Sequence, residues 1–86
     1  MTNAQFAPLW EAARYVLREW ELDSLRVNGE QAYRAVRAYA QAVKRPDDPV
    51  VIWYEQQARE SKEEQGRFFS WWYSWQQEER HRLGLD

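Results

Sequence analysis

RPDDPVVIWY, residues 45–54, is the stretch on which the fold turns. Its second half is β-branched and aromatic, a composition that suits a strand. A strand needs a partner, and the best one available is the weak Leu25-Arg26-Val27, too little to build a sheet. The first half points elsewhere: Asp48 followed by Pro49 joins a good N-cap side chain to a proline at the first helical position, where a missing N–H costs nothing. Read as a helix start, this stretch opens a third helix and makes the chain all-α.

Upstream, the same logic yields two more helices. Phe6, Leu9, Trp10, Ala13, Val16, Leu17 and Trp20 follow the spacing of one helix face, with Glu11, Arg14, Arg18 and Glu21 opposite. Thr2 with Gln5 reads as a capping box while Pro8 prefers the first turn, so this helix spans roughly residues 4–22. Asn28 restarts the chain with Gln31 three residues on, and a second helix runs over roughly 29–45 until Pro46 disfavours the helical conformation before it. Its inner face, Ala32, Ala35, Val36, Tyr39, Ala42 and Val43, is mostly small and admits a neighbour carrying bulky rings.

Downstream, residues 55–67 read EQQARESKEEQGR with Ala58 as the one clearly apolar residue, so this length is solvated or interrupted. The expectation is a compact bundle of three main helices in one domain over residues 1–86, the third spanning roughly 49–82 and either long or broken near Gly66, with Gly84 as its C-cap. Trp10, Trp20 and Trp72 are expected to pack against the small face of the second helix.

Composition narrows function. There is no cysteine and a single histidine, so no disulfide, thiolate metal site or imidazole cluster is available, and a reducing, cytoplasmic setting fits best. The opening residues lack a basic start followed by an apolar run, and no uncharged stretch approaches the roughly 20 residues of a membrane span. The serines have only His81 to share as a base, no glycine-rich phosphate loop appears, and Glu63 and Glu64 lie in polar surroundings, so neither an enzyme nor a cofactor is expected.

The strongest signal is aromatic: six tryptophans, five tyrosines and three phenylalanines stand in 86 residues, clustered at FFSWWYSW, residues 68–75. At 100° per residue Phe68, Trp71, Trp72 and Trp75 share a face, while Phe69 and Tyr73 form an i, i+4 pair to its side. A helix of a small bundle buries one stripe, so the second pair, together with Val51 and Ile52, exceeds what a monomer can cover. These residues predict a protein-binding module, self-associating as a homodimer through its C-terminal helix or docking on a larger complex as an accessory subunit, adaptor or inhibitor. Phe69, Tyr73, Trp71 and Trp75 are the candidate interface, with Arg34 and Arg37 of the second helix as a polar contact.

Two other readings use the same residues. Exposed rings beside helix-2 arginines would stack single-stranded nucleic acid, although Glu63, Glu64, Glu78 and Glu79 bracket the cluster and repel phosphate. Glu78 and His81 have the Glu-x-x-His spacing of carboxylate-bridged metal centres, half a site that would need Glu19, Glu55 or a second copy to complete it in a metal-dependent oligomer.

Overall fold

The computed structural model describes residues 6–85. Asp48 caps as its sequence suggests: in extended backbone, its Oδ1 accepts the Val50 N–H at 2.8 Å, and α3, Pro49–Trp53, follows. No strand occurs among the described residues. Before it come α1, Ala7–Glu19, and α2, Gly29–Val43, the latter capped by Asn28 Oδ1 on the Gln31 N–H at 2.8 Å. The Thr2 and Gln5 pair lies outside the described residues.

The third helix is not one helix, and it does not break at Gly66. After Trp53 the chain widens into one π-helical turn, Tyr54–Ala58, and α4 starts afresh at Lys62 and runs to Arg82. Ser61, in extended backbone, caps it by accepting the Glu64 N–H at 3.1 Å, the capping geometry of a Ser-x-x-Glu sequence. Gly66 sits inside α4 with open space where a side chain would point. A capping serine restarts a helix more decisively than an interior glycine ends one, since the glycine costs only about 1 kcal/mol. Among the described residues the bundle therefore has four α-helices with loops and the π turn between them, rather than three main helices.

Helix ends carry their own signatures. α1 stops three residues short of Leu22 because Glu21 takes a left-handed conformation, with the Leu22 N–H on the Leu17 carbonyl and the Glu21 N–H on that of Arg18. Gly84 does the same after α4, where its lack of a side chain makes the conformation free of strain.

Packing follows from the small face of α2. Ala32, Ala35 and Val36 let Leu9, Ala13, Val16 and Leu17 of α1 come close, and Phe68, Trp71 and Trp72 of α4 close the core with Val50 and Trp53. Phe6 is stacked on Trp71 at 5.2 Å between ring centroids and meets Trp53 edge-on. The radius of gyration, 12.5 Å, matches the roughly 12 Å of a compact chain of this length.

Three core assignments change, the first being Ala42, which was expected on the inner face of α2 and is exposed. Trp20 is 45% exposed, because the left-handed turn at Glu21 ends α1 before Trp20 can reach α2's inner face. Val51, expected to lie uncovered, is buried: α3 packs on both α1 and α2, so a helix this short is covered on more than one side. Of that pair only Ile52 reaches the surface.

Candidate protein-binding surface

The aromatic helix divides its rings differently from the sequence expectation. Trp71 is only 6% exposed, wedged among Phe6, Phe68 and Trp72, and its ring is not open to a partner. Trp75 is half-buried against Trp10, their centroids 5.0 Å apart. Phe69 is also half-buried, over Gly29 and edge-on to Tyr33 at 6.1 Å. Tyr73, at 66% exposure, is the member of the set that stands in solvent. The i, i+4 relation put Phe69 and Tyr73 on one side of α4, but it does not show that α2 starts with a glycine beneath the first ring.

Arg34 and Arg37 are exposed on α2. Arg34 Nη2 donates to Glu30 Oε1 at 2.8 Å one turn earlier, the geometry of a solvated helix pair. Arg37 lies near Tyr33, whose phenol is pushed above its ordinary range by burial first and by Tyr54 second, with the Arg37 charge pulling the other way. Glu78 and His81 are exposed near the end of α4. No group of three or more His, Cys, Asp or Glu among the described residues is placed to hold a metal ion.

Polarity reappears inside the core. Trp72 Nε1 donates to the Val27 carbonyl at 3.2 Å, and Gln76 Nε2 donates to that carbonyl and to Ser24's. Both side chains are buried and pin the loop between α1 and α2 to α4. Glu64 is also buried, its Oε1 without a hydrogen bond and 3.8 Å from Arg67 Nη1.

A groove lies elsewhere, between α1 and α2. It has a volume of about 760 Å³, and the buried Ala12, Val16 and Val50 with the half-buried Ala38 form its floor. Tyr15, 60% exposed, and Trp20 stand on its α1 side; Tyr39, Ala42 and Val43 form its α2 side. At one end the Tyr39 O–H donates to Asp48 Oδ2 at 3.2 Å. Burial, and then the Asp48 charge and hydrogen bond, raise the Tyr39 phenol above its ordinary 10.0. The charged side chains lining the groove are Glu11, Glu19 and Asp48, all acidic.

Sequence reasoning missed this surface. Tyr15 and Ala12 fall between the apolar stripe and the charged face of α1, and neither periodicity nor composition assigns such flank positions. One signal was present: Glu11, Tyr15 and Glu19 at i, i+4 and i+8 place an aromatic ring between two acids on one line of the helix.

A second recess, of about 430 Å³, lies between the end of α1 and the end of α4. Arg14 covers the Trp10 ring there at 4.9 Å from its centroid. Glu79 accepts twice from Arg82, and that hydrogen bonding holds its carboxyl below the usual range. Arg14 and Arg82 are thus engaged with a ring and a carboxylate of the same chain.

No protein-family model, no curated protein and no solved structure matches this chain.

Proposed function

We propose that this chain is a non-enzymatic protein-binding module that docks on a larger protein or complex as a small accessory subunit, adaptor or inhibitor. The observation that carries this reading is the groove between α1 and α2, an apolar floor flanked by the solvent-exposed rings of Tyr15 and Trp20. Aromatic rings on a concave apolar surface are the usual anchors of protein interfaces. Docking through this groove replaces the α4 face as the preferred contact, because Trp71 and Phe69 already spend their surface on the chain's own core. The groove's acidic lining also weighs against a nucleic-acid ligand, which phosphate repulsion would disfavour there.

The test is a capture experiment with the tagged full chain in extract of its native host, in parallel with Tyr15→Glu and Tyr73→Glu. A specific protein held by the parent and by the Tyr73 variant, and lost by the Tyr15 variant with its helical circular dichroism intact, supports the reading. Equal capture by all three, or none by any, contradicts it.

A further inference from the structure

The groove's lining charges are of one sign. Glu11 and Glu19 are eight residues apart on α1, about 12 Å along the axis, and flank Tyr15. On the α2 side the Asp48 carboxylate accepts from two donors, the Val50 N–H at Oδ1 and the Tyr39 O–H at Oδ2, which hold it in place at the α3 end of the trough. No lysine or arginine is among the groove-lining residues described. Arg14 and Arg18 on the same helix lie outside this lining, in the recess with Trp10 and in a smaller one beside Glu11 and Tyr15, and Arg45, near enough to Tyr39 to pull its phenol downward, also lies outside it. Glu19 moreover occupies the last turn of α1, where the helix dipole disfavours negative charge, so local helix stability does not explain it.

From this complementarity we propose that the groove takes an amphipathic helix of a partner protein, with apolar anchors at i and i+4 over the Ala12, Val16, Ala38 and Val50 floor and lysines or arginines along its edges. This rests on the docking reading above and adds the partner's chemistry to it. Helix-in-groove recognition has this form, apolar anchors for affinity and flanking charge for orientation and selectivity. A second copy fits poorly, since a two-fold pairing of the groove would set acids against acids.

The experiment uses two labelled synthetic peptides of about 18 residues, five helical turns. They have the same leucine pattern and differ only in lysine or glutamate at the flanking positions. Anisotropy titration against the full chain should show the lysine peptide binding at least about tenfold more tightly, with the preference shrinking as salt rises. The double variant Glu11→Lys, Glu19→Lys should abolish or invert the preference, and Glu11→Gln, Glu19→Gln should reduce it with less disturbance of the surface. Equal binding of the two peptides, binding of neither, or a preference unmoved by both double variants overturns the proposal. So does a homodimer, seen by sedimentation without peptide, that Tyr15→Glu disrupts. The host capture with Tyr15→Glu stands apart from these outcomes: a partner lost there while the peptides show no charge preference leaves the docking reading in place and removes only the basic helix.

Discussion

Gly29 and Phe69 are in contact so close that a side chain on the first would crowd the second. A β-carbon built on Gly29 lies 3.0 Å from Phe69 Cδ1, 3.2 Å from its Cα and 3.3 Å from its Cβ. The first residue of α2 thus abuts the flank of α4, and the ring sits edge-on to Tyr33. Helix propensity alone favours Gly29→Ala by up to about 1 kcal/mol. The contact with the Phe69 backbone is expected to outweigh that gain, so the alanine variant should melt below the parent. In a Phe69→Ala background, where the closest contact is gone, the same change should cost less. A thermal double-mutant cycle checks both statements.

Gly66 provides the opposite case. It lies in α4 with nothing near a prospective side chain, so Gly66→Ala should raise stability by about 0.5–1 kcal/mol in urea denaturation. A loss of stability would mean that the chain bends at Gly66 after all.

Gln76 holds two loop carbonyls from within the core. Gln76→Leu leaves the Ser24 carbonyl without that donor and Val27 with one fewer, and should cost about 1–3 kcal/mol. Amide exchange in the loop between α1 and α2 should accelerate in the variant. Unchanged exchange would show that the loop is held by other contacts.

Alkaline pH should loosen the fold through its tyrosines. The Tyr39 phenol is raised by burial and then by Asp48, the Tyr33 phenol by burial and then by Tyr54. Both folded-state values lie above the unfolded 10.0, so the unfolded chain loses these protons first as pH climbs. Their contribution is fully present below pH 10 and lost above it, through the folded values. Melting temperature should fall across that window, and Tyr39→Phe should flatten the fall. An ultraviolet titration of tyrosinate in the native protein gives the independent check.

The sequence made the helices legible because their starts are written in single residues. Asn28 and Asp48 cap where their side-chain chemistry says they should, and Gly84 ends α4 in the left-handed conformation it alone adopts without strain. Ser61 carried the same kind of signal, hidden in a polar stretch where the nearby Gly66 drew the break instead. The distribution of rings was less legible, since periodicity ranks faces of one helix but not what lies opposite them. Trp20 left the core because Glu21, a residue with no general preference for the left-handed region, ended α1 early. The groove is a property of two helices and a loop together, and its floor of alanines and valines reads in sequence as ordinary core.

The most direct test of the docking surface is a ¹⁵N-labelled nuclear magnetic resonance titration of the full chain with the lysine-flanked helical peptide. The account predicts that shifts concentrate on the Trp20 indole and on the amides of Ala12, Tyr15, Val16, Ala38 and Tyr39, the residues that line the groove. Shifts centred instead on Tyr73 and the exposed side of α4, or spread without focus over the surface, would contradict it.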